Sequence, residues 1–154
     1  MRSSNPEPGA GSSLLELSLV CDFAEVQPAA AALRTFLASH GCSPADASDC
    51  EIALVEGCNN AIKYAAGKGR LLPVQVRISC SAREIAITIE DHTPGFDWPL
   101  QAKLPLPDQE HGRGIFLIQA VMDEAKYTIG NAGNRLWMRK LRATDPTPPP
   151  DRSR

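Results

Sequence analysis

Leu15, Leu17, Leu19 and Cys21 alternate with Glu16, Ser18 and Val20, a period of two that predicts a strand with one buried face. From about Ala24 to Ser39 the period lengthens to that of a helix. Val26, Ala30, Leu33 and Leu37 face inward, Pro28 stands near the first turn and Gly41 is the stop signal. Ser43-Pro44-Ala45-Asp46 reads as a capping box with proline at the first helical position, so a second helix starts there and runs to Ala66, where Gly67-Lys68-Gly69 ends it. Its apolar stripe is Ala47, Cys50, Leu54, Cys58, Ala61 and Ala65. At about 100° per residue, Glu56, Asn60 and Lys63 fall together nearly opposite that stripe.

Two alternating runs follow, Val74 to Cys80 and Ile85 to Ile89, which predict a hairpin turning near Ser81-Ala82. Between Pro94 and His111 the periodicity vanishes and prolines recur at 99, 105 and 107. A loop of that length usually has a role of its own. Ile115, Phe116, Ile118, Val121 and Met122 then mark a short helix. Strands around Ala125 to Ile129 and Arg135 to Leu141, joined by Gly130-Asn131-Ala132-Gly133, close the chain without any internal repeat. The pattern predicts an α/β (α+β) two-layer sandwich: a mixed, mainly antiparallel sheet with helices on one face.

The chain has 154 residues, 43% of them hydrophobic, enough for one full core. The expected domain is 14–143. It is flanked by a Ser/Pro/Gly-rich tail, 1–13, and a proline-rich tail, 144–154, neither with the composition of a packed element. A formal net charge of -2 without a basic stripe argues against nucleic acid as a partner, and Arg139-Lys140-Leu141-Arg142 reads as solvated strand-end charge. No apolar run approaches a bilayer span, and Met1 to Ser13 lacks both a basic start and an apolar signal core. The expectation is a soluble, cytoplasmic protein with no membrane partner. Five cysteines, an odd number without a Cys-x-x-Cys pair, support neither a disulfide framework nor a zinc site.

Three short stretches carry the candidate chemistry. Glu56 and Asn60 lie one helical turn apart, about 6 Å along the axis, and offer a proton acceptor beside an amide oxygen for a hard cation. A solvated polar face has the same pattern. Asp91 ends an apolar strand before Pro94-Gly95, so its carboxylate can accept from a base amine while Gly95 permits close approach; a strand-end Asp capping a turn looks alike. Gly112 and Gly114 open a helix, where glycines allow a nest of N–H groups for anions or simply a turn of positive φ. Arg113 adds charge to phosphates or faces water, and His92 and His111 read as surface residues. Taken together, the three describe a site for a magnesium nucleotide.

The order of these parts resembles the GHKL ATP-binding fold of histidine kinases, gyrase-type ATPases and Hsp90-type chaperones. Glu56-x-x-x-Asn60-Ala61 looks like its N box, Asp91-x-x-x-Gly95-Phe96 like its G1 box and Gly112-Arg113-Gly114 like its G2 box. Ala53 to Ala65, and Gly112 to the Met122-Asp123-Glu124 ending, resemble the anti-sigma factor serine/threonine kinases more closely, and the likeness covers Leu14 to Leu141. It implies that Asn60 coordinates Mg2+, Glu56 activates a substrate serine, Asp91 recognises the adenine of ATP, and Gly95 supports the adenine pocket. Gly112, Arg113 and Gly114 would lie beside the phosphates, and Trp98 to His111 would form a lid over the nucleotide.

Two positions depart from the pattern. Thr93 replaces the first glycine of the G1 box, and Asn134-Arg135 stand where hydroxyl residues commonly follow Gly133. The implied partners are an anti-anti-sigma factor with a STAS domain, phosphorylated on serine, a sigma factor or analogous client, and a second copy in a homodimer. A non-catalytic, ATP-dependent sequestering module is the first alternative; retention of Glu56 speaks against it and Thr93 for it. A histidine-kinase catalytic domain is the second, and with no phosphoacceptor helix before Leu14 it would need an external acceptor. A gyrase-like ATPase would need a transducer domain that the length excludes.

Overall fold

The computed structural model describes residues 11–108 and 112–143. The expected tails fall outside this range except for residues 11–13, and Ser13 already opens the first strand; Gln109, Glu110 and His111 of the expected lid also lie outside it. The elements are β1 (Ser13–Leu19), α1 (Val26–Ser39), α2 (Pro44–Lys63), β2 (Val74–Cys80), β3 (Glu84–Asp91), α3 (Arg113–Val121), β4 (Glu124–Gly130) and β5 (Gly133–Leu141). One sheet results, in the order β1-β2-β3-β5-β4, and every described pairing is antiparallel.

β1 stops at Leu19 rather than Cys21 because the chain turns there. Asp22 donates its N–H to Val20 O, and its carboxylate accepts from Ala24 N–H at 2.9 Å, capping a short 3-10 turn over Phe23–Glu25. α1 therefore begins at Val26, two residues later than expected, and buries Val26, Ala30, Leu33 and Leu37 as its period requires. α2 starts where the capping box predicted: the Ser43 hydroxyl accepts the Asp46 N–H at 3.1 Å, and Pro44 is the first helical residue. The Asp46 carboxylate goes further afield, accepting the Ala143 N–H at 2.8 Å and so tying the end of the sheet to the start of α2.

α2 ends at Lys63, three residues before the expected Ala66. Tyr64 caps it, Ala65 is buried, and a 3-10 turn over Gly67–Leu71 leads to β2. Gly69 within that turn passes so close to the chain after β3 that a Cβ would stand 2.3 Å from the carbonyl oxygen of His92. A backbone oxygen cannot rotate aside. Gly69→Ala is therefore expected to lower stability by about 1–3 kcal/mol, read by urea denaturation.

The sheet's inner face is continuous, with Val74, Val76 and Ile78 of β2, Ile85, Ile87 and Ile89 of β3, and Leu136 and Met138 of β5 all buried. α1 and α2 lie over it, and α3 packs on α2 and β4. Gly57 brings α2 close, since a Cβ there would meet Ile89 Cδ1 at 2.5 Å and Leu136 Cδ2 at 3.2 Å. Cys50, Leu54 and Cys58 of the predicted stripe are fully buried. Burial pushes both thiols up to about 12, so they pack as small apolar groups. The outer face carries charge arranged in cross-strand pairs, among them Arg135–Glu90, Arg77–Glu16 and Arg139–Glu124. No helix among the described residues is long and apolar enough to cross a membrane.

Candidate functional site

α2 presents Glu56 and Asn60 to the start of α3. A Cβ at Gly114 would stand 2.7 Å from Glu56 Oε2, so only glycine leaves that carboxylate in place, while Asn60 Nδ2 at 3.6 Å is in ordinary contact distance. Glu56 is half-buried by this contact rather than solvated, and burial raises its carboxyl above the usual range. Gly112 adopts φ +89 as the N-cap, a left-handed conformation that favours glycine. The first helical bond runs from Phe116 N–H to Gly112 O, which leaves the N–H groups of Arg113, Gly114 and Ile115 without intrahelical acceptors. Such an end attracts anions.

Asn60, Gly112 and Gly114 line a cavity of about 480 Å³, bordered on other sides by Tyr64, Phe96 and the loop from Asp97 to Lys103. That volume falls in the range of small-molecule sites, about 300–1,000 Å³. Arg113 is exposed and lies outside the lining. Lys103, whose ammonium brings a positive charge to the cavity, is not marked by any spacing in the chain.

Asp91 does not line the cavity. It is 2% exposed, and its carboxylate accepts three donors: Thr93 N–H at 2.9 Å and Asn134 Nδ2 at 2.9 Å on Oδ1, and the Tyr127 hydroxyl at 3.2 Å on Oδ2. Burial, with the charge of Asp91 adding, pushes the Tyr127 phenol up to about 12, so it stays protonated and donating. Phe96, which lines the cavity, stacks on Tyr127 with ring centroids 4.2 Å apart. Tyr64 and Trp98 flank the pair, at 5.7 Å from Phe96 and 6.0 Å from Tyr127. Cavity and acid are thus joined through two stacked rings. Gly95 makes the turn between them possible: its φ is +92, and a Cβ would meet Ile129 Cδ1 at 2.8 Å.

One side chain of α3, Gln119, bonds the loop over the cavity twice. Gln119 Oε1 accepts the Ala102 N–H at 2.7 Å, and its Nε2 donates to Pro99 O at 2.8 Å. Nothing else in this stretch forms a helix or strand. Gln119→Ala is expected to speed amide hydrogen exchange across residues 98–108 by about an order of magnitude while leaving β2 and β3 unchanged.

A comparison with curated proteins finds no match. Among solved structures, the RsbU and RsbW domains of Rv1364c from Mycobacterium tuberculosis are similar at 18% identity with a TM-score of 0.63, over 86% of this chain. The chain spans about a third (33%) of that protein's resolved length. A chain of the SiaB-SiaC complex from Pseudomonas aeruginosa is similar at 16% identity with a TM-score of 0.59, over 82% of this chain and 89% of that one. At these identities the likenesses bear on the fold alone. The sequence matches a family over residues 20–140, the span that holds α1 to β4, all of β5 but its last residue, and every candidate site residue. The chain belongs to the histidine kinase-like ATPase domain family, and its fold is that of a GHKL-type ATPase domain.

Proposed function

We propose that the protein is an ATP-dependent protein-serine kinase and anti-sigma factor of a partner-switching system. It phosphorylates a serine of an anti-anti-sigma antagonist of STAS type and sequesters a sigma factor or analogous client. The observation that carries this reading is the Glu56 carboxylate seated against Gly114 and one turn before Asn60, two residues that line the cavity, although Glu56 itself is outside the lining. A domain that only bound nucleotide would have no use for a proton acceptor there. Similarity in fold to a chain with an RsbW domain and to a chain of the SiaB-SiaC complex supports a protein partner.

The donor set fits a magnesium nucleotide. No group of three or more His, Cys, Asp or Glu side chains among the described residues could hold a metal ion, so a cation here takes an oxygen from Asn60 and the rest from phosphates and water. When bound, magnesium ATP supplies an electrophilic phosphoryl group whose charge the cation offsets. The chain's own groups do the rest. The N–H groups at the start of α3 and the Lys103 ammonium hold phosphate oxygens, Asp91 accepts from the adenine amine, and Glu56 takes the proton of the attacking serine hydroxyl. Raised by burial, Glu56 is a better proton acceptor than an ordinary glutamate. Phe96 and the loop bonded by Gln119 border the cavity and are placed to limit water there once nucleotide is bound.

Incubation of the purified protein with labelled ATP, magnesium and lysate from its own source tests the reading. The expected result is one labelled small protein carrying phosphoserine. Tight ATP and client binding without transfer to any protein would leave only the sequestering role.

A further inference from the structure

The five cysteines are spread along the sequence, yet the fold brings Cys42 and Cys80 together. Cys42 stands in the link between α1 and α2, directly after Gly41, whose φ of +71 turns the chain there. Cys80 is the last residue of β2, before the turn at Ser81. Their sulfurs lie 3.5 Å apart, although the residues are 38 apart in sequence. Cys21 makes a different contact, its Sγ donating to Leu72 O at 3.6 Å.

Arg142 already joins the same two segments. Its Nη2 donates to His40 O at 3.0 Å and its Nη1 to Ser81 O at 2.8 Å, and Nη1 also lies 3.8 Å from Cys80 Sγ. The two backbones are thus held at the spacing that keeps the sulfurs in contact. A disulfide bond is about 2.05 Å long, which leaves the sulfurs about 1.5 Å to close. One residue lies in a loop and the other at the end of a strand, so that movement disturbs no helix and no ladder interior. Access to the two differs. Cys42 is partly exposed and Cys80 is 3% exposed, so a reagent in solution meets Cys42, and Cys80 reaches the Cys42 sulfur from within. That is the arrangement of an attacking thiol and a resolving one. Burial, with the bond to Cys80 adding, pushes the Cys42 thiol up to about 11, so its thiolate is scarce at neutral pH and the pair reacts slowly there.

We propose that Cys42 and Cys80 are a modification site for small disulfides of the glutathione type, forming a reversible disulfide that staples the entry of α2 to the end of β2. The Cys42 thiolate, its proton given to solvent, attacks one sulfur of oxidised glutathione; a Cys42–glutathione disulfide forms and a glutathione thiolate leaves. The Cys80 thiolate then attacks the Cys42 sulfur and expels the second glutathione thiolate. The protein loses two electrons and two protons, and one glutathione disulfide becomes two glutathione thiols. Asn60 stands about 25 Å along α2 from Ser43, at ~1.5 Å per residue, so the staple acts at the opposite end of the helix from the cavity.

The test incubates the purified full chain with oxidised glutathione from neutral to about pH 9, blocks the remaining thiols by alkylation and maps the peptides by mass spectrometry. The expected product is a Cys42–Cys80 cross-link, two hydrogens lighter than the separate peptides, formed about tenfold faster for each pH unit. The melting temperature of the oxidised chain rises by about 5–15 °C and returns to its starting value on reduction with dithiothreitol. Cys80→Ala keeps glutathione on Cys42 and shows no such rise, and Cys42→Ser shows neither the cross-link nor the rise. If Cys80→Ala does not fold, the peptide map and the oxidised and reduced melting curves of the parent protein decide alone. A glutathione adduct that stays on Cys42 of the parent without resolving, a cross-link through Cys21 instead, or two thiols left free after oxidation would each overturn the proposal. A Cys42–Cys80 cross-link that leaves the melting temperature unchanged or lowers it would overturn the stapling role.

Discussion

Glu56→Gln is expected to slow phosphoryl transfer about 10²- to 10⁴-fold while ATP and client still bind. The substitution keeps the volume wedged against Gly114 and removes only the ability to take a proton. Its pH dependence carries a second signature. Burial raises the Glu56 carboxyl, so in the parent protein the rate falls as pH drops through a value above that of an ordinary glutamate. That acid limb disappears in the glutamine variant. The same shift has a sign for stability: a carboxyl raised by folding contributes stability below its unfolded pKa and loses it as pH rises through the folded value. Glu56→Gln therefore leaves the fold unharmed at neutral pH. Parental transfer rates in single-turnover assays would remove Glu56 from the chemistry.

Asn60→Ala is expected to abolish the gain in ATP affinity that magnesium confers. Asn60 is the side chain of the N box that both lines the cavity and carries a neutral oxygen suited to a hard cation. Without it the triphosphate charge meets only the start of α3 and Lys103. Calorimetry with and without magnesium reads the difference, and a magnesium effect that survives the substitution would assign the cation elsewhere.

Local signals carried much of the fold. Ser43 and Pro44 announced α2 because a cap is a matter of four adjacent residues, and the hairpin of β2 and β3 followed from two alternating runs and a serine turn in which Ser81 bonds Glu84. Where tertiary contacts decide, local reading stopped short. α2 breaks at Lys63 because Ala65 must enter the core and Gly69 must pass under His92, demands that no helical period contains. The shared face of Glu56 and Asn60 followed from 100° per residue, but its cover by Gly114 depends on where α3 docks.

Gln119 and Tyr127 escaped the sequence reading for a related reason. Each occupies an ordinary position in an amphipathic element, and its partner lies 17 or more residues away. The separation of Asp91 from the cavity by stacked rings has the same origin, since Phe96 comes from the loop after β3 and Tyr127 from the middle of β4.

The seam between β3 and β5 has a consequence for how the chain assembles. The β2–β3 and β4–β5 pairs close across short turns, whereas β1–β2, which joins Leu19 to Val74, and the β3–β5 seam are long-range. The seam binds residues such as Asp91 and Asn134, 43 apart in sequence, and so closes a loop that contains the whole lid and α3. Loop closure of that length belongs to the slower, later part of folding. Asp91 stands on one bank, and Tyr127 and Asn134 on the other. A half-zipped chain therefore lacks the base site proposed above, and on that reading nucleotide affinity reports whether the two halves of the sheet have been sewn together.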